Sequence, residues 1–114
     1  MMINLLQETI AVLKKNGKTP EDVKWVGNYK ISFSWDDFAK IADFEYDHDY
    51  GISEIKESLV VVGNDWWLAR REYDGREWWK FLTLPTRGEF GILTKSYLIR
   101  DEYKDDDDDW DEEY

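Results

Sequence analysis

The sequence predicts an α+β fold: an antiparallel sheet with an N-terminal and a central helix packed on one of its faces. Two observations carry this. Segments with helical spacing of apolar residues alternate with segments of strand-like spacing, and the later strands follow one another through tight turns. The clearest turn divides "DWWLARREYDGREWW", residues 65–79, which holds four of the seven tryptophans. With 114 residues, 42% hydrophobic and 17% aromatic, there is material for one core. Residues 1–100 read as a single domain, and residues 101–114 as an acidic tail too self-repelling to pack.

Residues 3–16 read as an amphipathic helix, with Ile3, Leu6, Ile10 and Leu13 at helical spacing. Lys14 and Lys15 suit the negative end of the helix dipole, and Gly17 is the stop. Thr19-Pro20 opens a single further helical turn. A hairpin follows, Val23–Val26 and Tyr29–Phe33 about a Gly27-Asn28 turn. Ser34, with Asp37 three residues on, caps a helix from Trp35 to Asp43 whose inner face carries Trp35, Phe38, Ala39 and Ala42. "FEYDHDYG" reads as a polar loop, "ISEIKES" as one or two helical turns, and "LVVVG" as a short apolar strand. Trp66–Tyr73 and Arg76–Leu84 make a second hairpin ended by Pro85, and Ile92–Ile99 is the last expected strand.

A two-residue Asp74-Gly75 turn pairs Tyr73 with Arg76 and so sets the register of the second hairpin. Side chains alternate across a strand. One face therefore carries Trp66, Leu68, Arg70 and Glu72 opposite Thr83, Phe81, Trp79 and Glu77, an apolar group suited to lie under a helix. The other carries Trp67, Ala69, Arg71 and Tyr73 opposite Leu82, Lys80, Trp78 and Arg76. This second face has two readings. The cations lay their stems over the tryptophans as cation–π neighbours, or Trp67, Arg71, Tyr73, Arg76, Trp78 and Lys80 form a binding face, since Trp, Tyr and Arg dominate interface hot spots.

Little points to catalysis. The single histidine, His48, lies between acids in a loop, the glycines are isolated turn residues, and nothing marks a nucleophile, so a non-enzyme is expected. No cysteine offers a disulfide or a thiolate metal site. Asp43, Glu45, Asp47 and Asp49 alternate before Gly51 in a way that superficially suggests a calcium loop, but Tyr50 intervenes and the twelfth position from Glu45 is Lys56. Neither metal nor cofactor is expected. No apolar run approaches a membrane span and the start shows no signal-peptide pattern, so the expected setting is cytoplasmic.

The formal charge of −11 is unevenly spread. Residues 101–114 hold ten acids and one lysine, leaving 16 acids against 14 bases in residues 1–100. "EYKDDDD" resembles an engineered epitope tag but departs from one at Glu102, at Asp109 and in continuing to Tyr114, so it reads as native. Two acidic segments are candidate contacts for a basic protein surface: Asp43, Glu45, Asp47 and Asp49 in the body, and Asp105, Asp106, Asp107, Asp108 and Asp109 with Trp110 in the tail.

"NLLQETIAVLKKNGKTPEDVKWVGN", "SWDDFAKIADFEYD", "LVVVGNDWWLARREYDGREWWKF" and the following "LP" together resemble a family of small uncharacterised proteins of Firmicutes and their prophages and mobile elements. The likeness covers roughly residues 3–85 and implies context only: an accessory protein in a bacterial host cell, of the kind among which inhibitors of host defence are found. The expectation that follows is a protein-binding inhibitor of a nucleic-acid-handling defence protein, of anti-CRISPR type, acting by acidic nucleic-acid mimicry. Its rival is a single-stranded nucleic-acid-binding module that stacks bases on Trp67, Trp78 and Tyr73 beside Arg71, Arg76 and Lys80. A homodimer through the aromatic face is a third expectation.

Overall fold

The computed structural model describes residues 1–49 and 53–100. Helices and antiparallel sheets are mixed, as the sequence predicts: strand β1 (Met2–Asn4), helix α1 (Leu5–Lys15), β2 (Trp25–Gly27), β3 (Ser32–Phe33), helix α2 (Trp35–Ile41), β4 (Glu45–Asp47), β5 (Val60–Val62), β6 (Trp66–Tyr73) and β7 (Arg76–Thr83). The five-stranded sheet runs in the order β3-β2-β5-β6-β7, and β1 pairs with β4 in a second sheet of two strands.

α1 starts two residues later than expected because Met2–Asn4 is drawn into pairing with Glu45–Asp47. Asn4 then acts as the cap, its Oδ1 accepting the N–H of Gln7 at 2.9 Å. At the other end the N–H of Lys18 donates to the carbonyl of Leu13 and that of Gly17 to Lys14, with Gly17 at φ +75°, which satisfies carbonyls the helix leaves open. Ser34 caps α2 by accepting the Asp37 N–H at 3.1 Å, and a single 3₁₀ turn occupies Pro20–Asp22.

Three further expectations are corrected. Gly27 belongs to a strand and not to a turn; its φ of +151° brings the backbone so close to Ile31 that a Cβ would collide with that residue's carbonyl. The connection is instead residues 28–31, wrapped around the Asn28 side chain, which accepts the N–H groups of Lys30 and Ile31. Residues 53–58 form no helix; Ile55 is buried there within irregular backbone. Residues 92–99 form no strand, since among the described residues no strand is there to pair with them; a 3₁₀ turn at Lys95–Tyr97 stands exposed.

The β6–β7 register is the expected one throughout, from Tyr73↔Arg76 at the turn to Trp66↔Thr83 at the open end. Asp74 at φ +54° and Gly75 at φ +86° supply the two left-handed residues of a type I′ turn. The inner face carries Phe33, Val26, Val61, Leu68 and Phe81 in one row across all five strands. Leu5 and Leu13 of α1, with Phe38 of α2 and the following Ala42, close over it to make one core. Trp66 reaches that core by lying against Gly63, where any side chain would strike its ring. Among the described residues no helix is long and apolar enough to cross a membrane.

Candidate binding surface

The outer face of the sheet is the side the helices leave open. Its rows follow from the pairing: Trp25, Val62, Trp67 and Leu82 lie side by side, then Val60, Ala69 and Lys80, then Arg71 with Trp78, then Tyr73 with Arg76. Trp67, Val62 and Leu82 are only half-buried, Trp78 is 40% exposed and Tyr73 76%. All six residues of the expected binding face thus lie together, continuous with a further apolar strip that sequence reasoning had not joined to them. Trp25 was the missed signal, since its register depends on a strand pairing more than thirty residues away.

The cations of this face do not sit over its rings. Among the described residues the cation–π contacts are elsewhere: Arg70 over Trp79 at 4.6 Å and over Tyr46 at 5.7 Å, Lys18 over Trp66, Lys30 over Tyr29, and Arg87 over Phe90. Arg71 instead turns its Nη1 to the carbonyl of Arg70, 3.1 Å away. Trp67 and Trp78 therefore present ring surface to solvent without a covering guanidinium or ammonium.

The hairpin's buried side holds a polar cluster. Arg70 donates from Nη2 to Glu77 Oε1 and to Tyr46 Oη, each at 3.0 Å, and Tyr46 donates to Glu8 Oε1 at 2.6 Å. Glu77 also accepts the N–H groups of Glu54 and Ile55, and Trp79 Nε1–H donates to Thr9 Oγ1 at 2.8 Å. Burial alone would raise the Glu77 pKa; the Glu54 N–H, Arg70 and the Ile55 N–H outweigh it and hold the carboxyl below its ordinary value. Burial, reinforced by the bond to Glu8, pushes the Tyr46 hydroxyl up. The cluster cross-links α1, β4, the 54–55 backbone and the hairpin, and it lies on the opposite side of the hairpin from the outer face.

The acidic candidates in the body are partly committed. Asp43 accepts from Asn4 Nδ2 at 2.8 Å, while the Met1 amino group reaches Asp47 at 3.0 Å and Asp49 at 3.6 Å. The Asp49 N–H and that amino group hold the Asp47 carboxyl below its usual value. With the pairing of Met2–Asn4 to Glu45–Asp47, these contacts make residues 45–47 a strand and not the loop expected there, and Glu45 is exposed on that strand. His48 is half-buried beside Asp49, and its carbonyl takes the Glu77 N–H. Asp105–Asp109 and Trp110 lie outside the described residues.

No protein-family model, curated protein or solved structure matches this chain. The outer surface is apolar across the row Trp25–Val62–Trp67–Leu82 and edged by Arg71, Arg76 and Lys80.

Proposed function

We propose that this is a non-catalytic protein-binding module that engages its partner through the outer face of the five-stranded sheet. The observation that carries the reading is the uncovered ring surface of Trp67 and Trp78, aligned with Trp25, Val62 and Leu82 and flanked by Arg71, Arg76 and Lys80. A contact of this kind centres on the aromatic–aliphatic strip and takes partner carboxylates at its cationic edge. A mobile-element accessory role rests on the resemblance of residues 3–85, and inhibition by acidic mimicry on the charge of residues 101–114.

The test is affinity capture from a Firmicutes lysate with the full chain, with Trp78→Ala and with Arg71→Glu/Arg76→Glu. The proposal expects one protein enriched by the parent chain and lost with both variants. Equal recovery by all three removes the outer face from the account.

The exposure of Tyr73 and Trp78 beside Arg71 and Arg76 also favours a second reading, stacking of single-stranded nucleic acid. A fluorescein-labelled oligothymidine separates the two. Salt-sensitive binding that Trp78→Ala weakens supports this reading, and absence of binding at low salt removes it.

A further inference from the structure

The outer face of the sheet carries charge of one sign. Its positions on β2, β5, β6 and β7 hold Arg71, Arg76 and Lys80 and no acid, because Glu72 and Glu77 alternate to the inner side. Asp65 and Asp74 stand just beyond its two ends, before β6 and in the hairpin turn. Among the described residues none of the three cations makes an ion pair, and Arg71 has only the Arg70 carbonyl. Lys18 and Lys24, by contrast, line one depression together with Glu21, Asp22 and Asp65. The outer face thus sets unanswered positive charge beside the uncovered rings of Trp67 and Trp78.

We infer that residues 101–114 of the same chain fold back onto this face and occupy it until a partner displaces them. The inference rests on the outer face being the binding surface. The segment holds ten acids and one base, Lys104, with Tyr103, Trp110 and Tyr114 as its aromatics, so it complements the face in both charge and apolar content. Length fits as well. Asp105–Asp109, extended, covers about 14 Å between its first and last Cα, and so does β7 from Arg76 to Lys80. With the aspartates running from the hairpin turn toward the open end of the sheet, Trp110 arrives beside Leu82 and Trp67. Residues 84–104 then retrace β7, about 27 Å long, which their extended reach of about 70 Å allows; residues 84–100 are exposed throughout. Tethering in one chain gives the segment a high effective concentration at the face. Exposed ion pairs each contribute little, so the cover is loose. Salt releases it, and a partner that brings its own carboxylates to Arg71, Arg76 and Lys80 competes with it.

Zero-length carbodiimide cross-linking of the full chain, read by peptide mass spectrometry, tests the inference. The expected product joins Lys80 to a carboxylate of residues 101–114 within a monomer. Its yield falls about threefold or more in Arg71→Glu/Arg76→Glu, in Trp110→Ala and in about 0.5 M salt. Lys80 stays in place in every arm, Arg71 and Arg76 are exposed so their replacement retains the fold, and the salt arm needs no variant. Links spread evenly over Lys14, Lys40 and Lys80, a Lys80 link indifferent to salt and to both variants, or a link found only in dimers overturns the inference. Capture tells its failure from that of the partner reading. No Lys80 link while Trp78→Ala still loses the captured protein removes the tail contact alone. The expected link with capture indifferent to Trp78→Ala supports the tail contact and removes the partner reading.

Discussion

Trp78 and Trp79 are neighbours in the chain and face opposite worlds. Trp79 is 4% exposed, lies 4.6 Å beneath the Arg70 guanidinium and donates its indole N–H to Thr9 on α1, whereas Trp78 is 40% exposed on the outer face. One anchors the fold and the other is open to solvent. In urea denaturation, Trp79→Ala is expected to lose about 3–5 kcal/mol, and Trp79→Phe about 1 kcal/mol with the lost hydrogen bond. Trp78→Ala is expected to stay within about 1 kcal/mol of the parent chain. Equal losses at 78 and 79 would contradict the division of faces.

The Arg70–Glu77 pair is buried on both sides. Glu77→Gln removes the nearer of the two carboxylates beside the guanidinium, leaving Glu8 at 3.7 Å from Nη1, and is expected to cost about 3 kcal/mol. Arg70→Met added to Glu77→Gln should restore part of that, since the buried guanidinium is then gone and Glu8 keeps the hydrogen bond from Tyr46. Chemical denaturation of the two single variants and the double variant gives the coupling, and strict additivity would show that the pair does not act as one unit.

Acid should act on the same carboxyl. The folded Glu77 pKa is below its ordinary value of 4.5, so the folded state binds this proton more weakly than the unfolded chain. Its stabilisation is therefore fully present above that ordinary value and is lost as pH falls through the lowered one. Tryptophan fluorescence followed from neutral to strongly acidic pH should show a transition whose steepness drops in Glu77→Gln.

Tyr46 has the opposite sign. Its raised pKa keeps the hydroxyl protonated in the fold when an unfolded tyrosine, near 10, has already ionised. Stability declines as pH rises past that value. Tyr46→Phe removes this alkaline decline, at the expense of the bonds to Arg70 and Glu8 near neutral pH. An unchanged alkaline decline in Tyr46→Phe would assign it to another group.

Gly63→Ala places a methyl against the Trp66 ring, which lies over the glycine and is itself fixed in the core. The expected loss is about 1–3 kcal/mol from overpacking, read as a lowered denaturation midpoint. A neutral result would mean that the Trp66 indole shifts freely.

The hairpin was legible because its information is local. Asp74-Gly75 dictates the turn, the turn dictates Tyr73↔Arg76, and alternation then assigns Trp66, Leu68, Arg70 and Trp79 to the buried side and Trp67 and Trp78 to the outer one. The strand at Glu45–Asp47 was not legible, because two of its three residues are acids and its partner lies at Met2–Asn4, far away in the chain. Its middle residue, Tyr46, reads as loop yet is almost wholly buried. The apolar run at 92–99 misled in the other direction: strand-forming residues have no ladder to join among the described residues, and they stand exposed. The broad outer face needed Trp25 and Val62 in register with Trp67, which only the assembled sheet provides.

Hydroxyl-radical footprinting of the full chain, alone and in complex with its captured protein, tests the central claim most directly. The account predicts protection of Trp67, Tyr73 and Trp78 in the complex, with the exposed Tyr29 at the far end of the sheet labelled as in the free chain. Undiminished labelling of Trp67 and Trp78 in a stable complex would contradict it.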